Sequence, residues 1–483
     1  MSYTNQEMKR HSKTKLIILI SVITLCIFRF FLTGFIPLLD KTEARYAEIA
    51  RLMYETNEWI VLQIDYGIPF WAKPPLSTWL SALSINMFGV NEIAARLPSY
   101  LLCLVILVIL GKLVKKKSGT SFYLPAFILL TTPEFLIHMG VVSTDVTLTF
   151  SITLIMLSFW KAMENESKSY WNYLFFFAVG LGLLSKGPIA LILTGPPIFI
   201  WCLLDKKRWK KVFTKLPWLT GILITAITAI PWYYLTEKKT PGFIDYFVVG
   251  EHFKRFLDTG WKGDLYGFAK SLPIGMIWVF LLIFAFPWIQ ILFIALWKNR
   301  KNILKDNWVS FLVLWLFWIP VFFTFTKSGL HTYILPSVIP MSLLLIFYWT
   351  EFKEKVLLKW SLIFPTIVVL TFFGLLISGY FKTFMNTDKY LLKHQQKNIE
   401  TKKVPIFYWD DKTYSSQFYS NGKVKVIKNA EELDSVFKNH ENIFFTILKK
   451  REKEIPEKYK SQLTFLESNQ KTSIYYYEKR FME

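Results

Sequence analysis

Apolar runs long enough to span a membrane recur along most of this chain, and they constrain its fold more than any other feature. A helix needs about 20 mostly apolar residues to cross a bilayer. Only helices and closed barrels can cross, because lipid cannot satisfy exposed backbone polar groups. The runs are continuous rather than alternating, which indicates helices, and hydrophobic residues make up 53% of the 483 residues. The sequence therefore predicts a polytopic α-helical membrane protein.

We predict about eleven transmembrane helices from these runs. They lie near residues 16–36, 96–114, 119–136, 144–162, 171–185, 187–204, 216–236, 271–297, 307–326, 332–350 and 357–381. The first run is too long for a secretion signal, and no small-residue cleavage pattern follows it, so we interpret it as a retained span. Only the sequence "SKGP" separates the runs at 171–185 and 187–204. The orientation of every later span depends on that separation.

Basic residues are concentrated in short loops between the predicted spans. The formal net charge is +22, and clusters of Lys and Arg occupy 112–117, 205–211 and 297–302. Cytoplasmic loops of membrane proteins carry such an excess, so we attribute the charge to topology and expect no nucleic-acid partner. Four other loops are then predicted to face outward. They are the loops at 37–95, 137–143, 237–270 and 327–331.

Composition divides the chain into two predicted domains. Residues 1–381 form the membrane domain, and its outward loop at 37–95 contains two segments typical of interfacial helices, "EARYAEIARLMYE" and "PPLSTWLSALSINMFG". Residues 382–483 combine short β-rich runs such as "NIFFTIL" with the amphipathic segment "AEELDSVFKNH". This alternation predicts a small soluble α/β domain, in which Asn429 is the expected N-cap of the helix. The predicted topology places this domain outside.

Charged residues beside membrane spans are costly to bury and are functional candidates by default. Asp40 and Glu43 lie at the outer mouth of the first span, and three residues apart on a helix they would share one face. Carboxylates in such a place are candidate proton acceptors. The alternative is an interfacial helix stabilised by ion pairs, with acidic residues at the favourable end of its dipole. In that case Arg45 pairs with Glu48, and Arg51 lies on a solvated face.

Other polar candidates lie at the outer ends of later spans. Asp145, in "GVVSTDVTLTF", is an isolated acid among apolar residues, and it is either a functional carboxylate or the N-cap of its helix. Lys73, in "PFWAKPPL", would either bind a phosphate as a point charge or extend its amine to the membrane interface. The remaining candidates are Lys186, Glu251, His252, Arg255, Lys327, His331 and Tyr333.

The polar candidates do not form a metal-binding motif in the sequence. None of the histidines has metal-ligand spacing, so no residue is assigned to a metal. Carboxylates near a phosphate could still hold a divalent ion, which leaves a divalent cofactor open. Acids, bases and apolar surface on one side of a membrane are typical of a site for an anionic amphiphile. Carboxylates would abstract a proton, and Lys and Arg would bind phosphate.

Several motifs in this sequence, taken in order, resemble those of a known family. They are "EARYAEIARLM", "NEWIV", "KPPL", "FGVNEIAARLPS", the Asp145 segment, "SKGPIAL", "PGFIDYFVVGEHFKRF" and "GLHTYILP". The sequence resembles the bacterial 4-amino-4-deoxy-L-arabinose transferases of lipid A, relatives of the protein O-mannosyltransferases. The resemblance implies a GT-C type fold: a bundle of transmembrane helices, interfacial helices in the first outward loop and a periplasmic α/β domain at the C-terminal end.

The resemblance implies an activity as well as a fold. The family transfers a sugar with inversion from a polyprenyl-phosphate carrier, in many members undecaprenyl phosphate, and an outward-facing carboxylate deprotonates the acceptor. We therefore expect an inner-membrane enzyme, its active site facing the periplasm, that moves a sugar such as 4-amino-4-deoxy-L-arabinose to lipid A or another envelope acceptor. The alternatives of the same fold are a protein O-glycosyltransferase and a surface-polysaccharide glycosyltransferase. A lipid or sugar transporter is more remote, because transporters usually show inverted repeats.

The resemblance also implies roles for particular residues. Glu43 matches the second acid of an Asp-Glu pair that often precedes this motif in the family, and Thr42 stands where the Asp would be. We expect Glu43 to be the base, with Asp40 as the alternative and Asp145 as the acid of the second outward loop. Ala72 replaces a Glu that often precedes the lysine of "KPP". The residues expected near the carrier phosphate or the acceptor are Arg45, Tyr46, Lys73, Lys186, Glu251, His252, Arg255, Lys327 and Tyr333.

Overall fold

The computed structural model describes residues 2–118, 121–164, 169–254, 261, 263–267, 272–326, 329–352, 354–396 and 404–479. Helices dominate the chain up to residue 396. These helices are α1 (Ser2–Phe35), α2 (Thr42–Thr56), α3 (Leu76–Phe88), α4 (Glu92–Ser118), α5 (Leu124–Leu130), α6 (Pro133–His138), α7 (Thr144–Glu164), α8 (Tyr170–Lys186), α9 (Ile189–Leu203), α10 (Lys206–Lys215), α11 (Trp218–Lys239), α12 (Met276–Phe284), α13 (Trp288–Lys298), α14 (Asn307–Phe323), α15 (Val338–Phe347), α16 (Glu354–Ile377), α17 (Tyr380–Thr383) and α18 (Lys389–Gln396).

Shorter elements connect these helices. A two-stranded antiparallel hairpin, β1 (Gln63–Asp65) and β2 (Ile68–Pro69), lies between α2 and α3. A π-helix occupies Asp245–Lys254, and 3₁₀ helices occupy His331–Ser337 and Trp349–Glu351. The π-helix lies in a segment that the sequence places in an outward loop. The first of these 3₁₀ helices begins at the last residue of another such loop and continues into the predicted span at 332–350.

Helices occur at every position where a transmembrane segment is predicted, but they differ in length. Among the described residues, the helices long and apolar enough to cross a membrane are Thr14–Phe35, Glu92–Lys117, Thr144–Glu164, Trp218–Lys239 and Trp360–Ile377. The pair α12 and α13 forms a further candidate bent by 104°. The run at 119–136 is divided into α5 and α6. The chain is a polytopic helical membrane protein, and the count of eleven spans remains a prediction.

Helix α7 lies at the centre of the bundle, and almost all of its residues are buried. It packs against α4, α8 and α9. Its apolar side chains belong to a large buried cluster that extends from α1 to α15. A polar residue at the start of α7 is therefore held rigidly at the mouth of the bundle.

Helices α2 and α3, in the loop predicted to face outward, pack against each other. Small side chains such as Ala44, Ala47 and Ala50 are fully buried between them. Because α2 begins at Thr42, Asp40 precedes the helix. The expectation that Asp40 and Glu43 share one helical face is therefore wrong, and the two carboxylates point to different partners.

The C-terminal segment forms a five-stranded sheet with the strand order β4-β3-β5-β7-β6. Its elements are β3 (Ile406–Trp409), α19 (Tyr414–Ser420), β4 (Lys425–Ile427), α20 (Ala430–Asn439), β5 (Asn442–Leu448), a 3₁₀ helix (Lys449–Glu454), α21 (Glu457–Lys460), β6 (Leu463–Ser468) and β7 (Thr472–Glu478). Strand β3 is parallel to β4 and β5, whereas β7 is antiparallel to β5 and β6. Asn429 caps α20 by accepting a 2.8 Å hydrogen bond from the backbone N–H of Glu432, as predicted.

Alternation along β3 gives this sheet two buried faces. Phe407 packs with residues of α20 on one face, and Tyr408 packs with residues of α18 on the other. The sheet is attached to the outward loop through α19. Phe418 of α19 enters the cluster formed by α2 and α3, and Tyr419 Oη accepts a hydrogen bond from the Leu38 N–H at 2.7 Å. The C-terminal sheet and the outward loop therefore lie on the same side of the bundle.

Candidate active site

An ion pair joins the start of α7 to the end of α8. Lys186 is the last residue of α8, and its Nζ lies 2.5 Å from Oδ1 of Asp145 in the first turn of α7. Consecutive helices that pack along their length bring the start of one to the end of the other. The side chains of Lys186 and Asp145 are 15% and 13% exposed. Ser143 Oγ accepts a hydrogen bond from the Asp145 N–H at 3.0 Å, so the capping hydroxyl belongs to Ser143.

The turn after Lys186 fixes this lysine against two other elements. Gly187 has a φ of +75°, and a Cβ at that position would lie 2.6 Å from a ring atom of Phe247 in the π-helix. Only glycine combines this backbone conformation with so close an approach. His252 Nε2 lies 3.2 Å from the Lys186 carbonyl oxygen, and the Lys186 amine lies 4.7 Å from the ring centre of Tyr333. The turn thus gathers three of the expected site residues.

The ring of His252 is held by two backbone carbonyl groups. Its Nδ1 lies 2.7 Å from the Phe247 oxygen, and its Nε2 faces the Lys186 oxygen. Burial lowers the pKa of His252, and the hydrogen bond to Phe247 opposes that effect. A neutral imidazole donates through only one nitrogen. A neutral His252 therefore donates to one of these two carbonyl oxygens, and its ring lies between the π-helix and the end of α8.

A second ion pair lies beside this turn. Lys73 Nζ is 3.2 Å from Glu251 Oε2, and Tyr246 Oη is 3.3 Å from Glu251 Oε1. Lys73 also donates to the Ala72 carbonyl oxygen at 2.6 Å. The "KPP" lysine is thus directed at Glu251 of the π-helix.

Glu43 is bound in a two-point ion pair with Arg96 of α4. Arg96 Nε and Nη2 each donate to one carboxylate oxygen at 2.7 Å. The same guanidinium donates to the carbonyl oxygens of Thr33 at 2.7 Å and Pro37 at 3.1 Å. A buried two-point pair of this kind fixes both partners geometrically. Arg96 therefore holds the Glu43 carboxylate in one position.

Glu43 and Asp145 both bind the segment between α6 and α7. The Val142 N–H donates to Glu43 Oε1 at 3.3 Å. The hydroxyl of Ser143 donates to Asp145 Oδ2 at 3.2 Å. The two carboxylates therefore meet adjacent residues of one loop, and they lie on the same side of the bundle.

Asp40 lies apart from this group, in contact with the C-terminal segment. Its Oδ1 accepts a hydrogen bond from the Ser415 N–H at 3.2 Å, and its other oxygen accepts one from the Ser415 hydroxyl. Its carbonyl oxygen accepts a hydrogen bond from Asn386 Nδ2 at 2.9 Å. Burial, together with the negative charge of Asp388, raises the pKa of Asp40 to about 7.

The charges of α2 are paired differently from the expected pattern. Arg45 donates to the Tyr266 carbonyl oxygen at 2.7 Å instead of pairing with Glu48, and its guanidinium lies 5.4 Å from the ring centre of Tyr46. Glu48 pairs with Arg51 through two 2.7 Å contacts. Arg51 is 1% exposed, so the expectation of a solvated face is wrong. Glu48 and Arg51 therefore form an ion pair that is buried within the outward loop.

Direct contacts thus connect Asp145, Lys186, His252 and Tyr333. Glu251 adjoins His252 in the π-helix and brings Lys73 to the same area. Glu43 contacts this group of residues through the loop before α7. Arg45 and Tyr46 lie on the same helix as Glu43. Arg255 and Lys327, which the sequence also suggests, lie outside the described residues.

Sequence reasoning did not assign a role to two buried arginines. Arg96 fixes Glu43, and Arg29 of α1 donates to the carbonyl oxygens of Leu136 at 2.8 Å and Ile137 at 2.7 Å. An ionisable residue in an apolar run is a signal for a function or a buried partner. That signal is present at both arginines, but it does not identify the partner, which lies on another helix.

Comparison with known proteins first shows which class of protein this chain resembles. A family model described as dolichyl-phosphate-mannose-protein mannosyltransferase matches residues 37–247, from the outward loop to the π-helix. Crystal structures of ArnT from Cupriavidus metallidurans, one in the apo state and one bound to undecaprenyl phosphate, have the same fold. The TM-score is 0.69 with 17% sequence identity, over 95% of this chain and 97% of that chain. The polytopic helical membrane fold expected from the sequence is therefore confirmed, whereas the eleven spans and the separate periplasmic domain remain predictions.

Individual curated relatives then show that the resemblance extends to the aminoarabinose transferases. The undecaprenyl phosphate-alpha-4-amino-4-deoxy-L-arabinose arabinosyl transferase 1 of Proteus mirabilis is 29% identical over 342 residues, which cover 67% of this chain and 58% of the relative. The corresponding transferase of Yersinia enterocolitica is 29% identical over 324 residues, covering 65% of this chain and 55% of the relative. The chain therefore spans little more than half the length of these relatives. Its resemblance to the aminoarabinose transferases is confirmed.

Proposed function

We propose that this protein is an inner-membrane glycosyltransferase that moves an amino sugar, of the 4-amino-4-deoxy-L-arabinose kind, from undecaprenyl phosphate to lipid A. The names of the curated relatives support this sugar and this carrier. The ArnT structure with bound undecaprenyl phosphate supports the same carrier. The sequence motifs support lipid A as the acceptor.

The observation that carries this proposal is the Asp145–Lys186 pair and its surroundings. A carboxylate and an ammonium group lie 2.5 Å apart at the outer ends of two membrane helices. Lys73 lies nearby with its own acidic partner. Paired cations beside a membrane suit a lipid-linked phosphate, and a carboxylate beside them suits removal of a proton from the acceptor.

The proposed reaction uses these two ion pairs as exchangeable contacts. The carrier phosphate takes the ammonium groups of Lys186 and Lys73 from Asp145 and Glu251, because phosphate binds several donors at once. Asp145 is then free to accept the proton of the attacking oxygen on the acceptor. That oxygen forms a bond to the anomeric carbon from the face opposite the carrier. The bond from that carbon to the carrier oxygen breaks, its electron pair leaves with undecaprenyl phosphate, and the configuration inverts.

The other two carboxylates receive lesser roles in this proposal. Glu43, the base favoured by sequence, has both oxygens engaged by Arg96, so it stands second to Asp145 and holds the loop before α7 in position. Asp40 stands third, because its oxygens accept hydrogen bonds from Ser415. Arg45, Tyr46 and Tyr333 are proposed to line the space around the carrier and the acceptor. Arg255 and Lys327 are proposed to lie near the carrier phosphate or the acceptor, as their motifs imply.

The proposed topology follows the sequence. Eleven spans form the membrane domain at 1–381, residues 382–483 form the soluble domain, and both the site and this domain face the periplasm. The contacts between α19 and the outward loop support the placement of the soluble domain on the side of the site. The basic loops on the opposite side support the orientation.

Mass spectrometry of lipid A tests the proposed acceptor. Lipid A from cells with the gene intact should contain a fraction with the mass of an added aminopentose, and deletion of the gene should remove it. Complementation with the wild-type chain should restore it, whereas complementation with the Asp145→Asn variant should not. Lipid A of identical mass in all strains would reject lipid A as the acceptor.

Transfer to a protein hydroxyl is the second candidate, and the description of the matching family model favours it. The same strains distinguish the two candidates. Glycan-specific staining of envelope proteins that disappears on deletion, with lipid A unchanged, would replace the first proposal by the second.

A further inference from the structure

A second polar cluster lies at the outer end of the bundle, formed by Glu134, His138 and His331. Glu134 and His138 are one helical turn apart on α6, so they share a face. His331 begins the 3₁₀ helix at His331–Ser337. One potential ligand atom from each residue lies within 4.8 Å of the others. The mechanism proposed above uses none of these three side chains.

The carboxylate of Glu134 is buried, and it accepts fewer hydrogen bonds from the described residues than its two oxygens allow. The residue is 0% exposed. Its Oε2 lies 3.0 Å from His331 Nδ1, but within the described part of the chain Oε1 has no hydrogen-bond partner. Although His138 Nδ1 is 3.1 Å from Oε1, it also lies 2.9 Å from the Glu134 carbonyl oxygen. Burial of a carboxylate is costly unless a cation or hydrogen bonds compensate.

His138 is oriented as a metal ligand usually is, and the ring plane of His331 is fixed by packing. A metal-binding histidine normally donates its second ring N–H to a carbonyl or carboxylate oxygen, which fixes the tautomer. His138 Nδ1 can donate to the Glu134 carbonyl oxygen in this way, which leaves Nε2 as an acceptor. The ring of His331 stacks on Phe284 with centroids 4.5 Å apart and planes 14° apart, so its plane is fixed.

We propose that Glu134, His138 and His331 bind a divalent transition metal ion of the zinc class. Two imidazoles and one carboxylate are a common set of three protein ligands for zinc, with a fourth position left for water or another ligand. The fourth position would lie on the side of His331, whose side chain is 35% exposed. The sequence spacing gives no sign of the site, because the third ligand comes from a distant segment.

Such an ion would connect two walls of the candidate active site. Tyr333, which faces Lys186, lies in the same short helix as His331. Arg29 binds the carbonyl oxygen of Gly140 at 3.1 Å, just after α6. A metal between α6 and this helix would therefore hold the Tyr333 segment against the loop that leads to Asp145. The inference concerns metal binding alone and stands apart from the proposed transfer reaction.

Direct metal analysis of the full-length, tag-free protein in detergent tests the proposal. After removal of metals with a chelator and dialysis, the protein should take up about one equivalent of zinc. Cobalt(II) in place of zinc should give the visible absorption of a low-symmetry N/O site. His331→Ala should weaken binding by at least about tenfold, the lower limit seen even for outer contacts of metal sites. The matched control is His440→Ala in the C-terminal segment, which should bind zinc as the wild type does.

One further measurement, with a second cluster variant, keeps the test decisive if one variant is unstable. Zinc should raise the melting temperature of the wild-type protein and of His440→Ala, but not that of His331→Ala or Glu134→Gln. Absence of stoichiometric binding in a folded wild-type protein would overturn the proposal. Equal binding by the wild type and both cluster variants would overturn it as well. Either result would mean that protons and hydrogen bonds alone compensate the buried Glu134.

Discussion

At the scale of single residues, the two-point contact between Arg96 and Glu43 has a consequence for stability. Removal of one partner leaves a charge buried without compensation, which typically costs about 3–5 kcal/mol. We therefore expect Arg96→Ala to lower the melting temperature of the detergent-solubilised protein markedly. Arg300→Ala is the control, because Arg300 is exposed and should change the melting temperature little. Equal melting temperatures for the two variants would show that the Glu43–Arg96 pair contributes little.

Lys73 should matter for binding of the donor. A hydrogen bond to a charged group contributes about 1.5–3 kcal/mol, so Lys73→Gln should raise the KM for the lipid-linked sugar by about tenfold or more. Lys239 forms a comparable outward ion pair with Glu58 at 2.7 Å, and Lys239→Gln serves as the matched control. Steady-state kinetics over a range of donor concentrations measure both variants. A KM for Lys73→Gln equal to that of the control would remove Lys73 from the carrier site.

At the scale of structural elements, the close approach of α8 to the π-helix can be tested at Gly187. Gly187→Ala combines a strained backbone with overpacking against Phe247, and overpacking alone costs about 1–3 kcal/mol. Gly67→Ala separates the two effects, since Gly67 also has a positive φ but no neighbour within 4 Å. We expect Gly187→Ala to lose most transfer activity, because Lys186 and His252 shift, while Gly67→Ala stays active. Comparable activity of the two variants would contradict the role assigned to this contact.

The sequence predicted most elements of the fold because their signals are local. Helices occur at each predicted span and at both segments predicted to be interfacial, and the strands and capped helix of the C-terminal segment lie where the pattern places them. The pairing of charges was harder to predict, since the partner of Arg45 or Glu43 lies far away in the sequence. Burial of Arg51 was missed for the same reason: a helix covered by α19 looks like a solvated helix until the C-terminal segment is placed on it.

At the scale of the whole molecule, Asp40 makes the attachment of the C-terminal segment dependent on pH. Its pKa rises from the ordinary value of 3.8 to about 7 in the folded protein. The folded state then binds the proton more tightly than the unfolded state, so the contribution of Asp40 to stability is largest below the unfolded pKa and falls as the pH rises through about 7. Thermal unfolding should therefore give a higher melting temperature near pH 5.5 than near pH 8.5.

Asp40→Asn identifies the source of this pH dependence. The variant should show a smaller fall in melting temperature between the two pH values, because the amide does not titrate. Asp65→Asn is the matched control: it removes a contact with Lys412 across the same interface and should keep the wild-type dependence. A wild-type pH dependence in Asp40→Asn would exclude Asp40 as its cause.

The central claim is that Asp145, paired with Lys186, serves a sugar transfer from undecaprenyl phosphate. The most direct measurement is the rate at which purified protein transfers labelled aminoarabinose from this carrier to lipid A in detergent micelles. Asp145→Asn should reduce that rate by about 10²–10⁴-fold, the usual contribution of a general base. Asp306→Asn, which removes a helix cap remote from the site, should retain a rate near that of the wild type. A near-normal transfer rate for folded Asp145→Asn protein would contradict the claim.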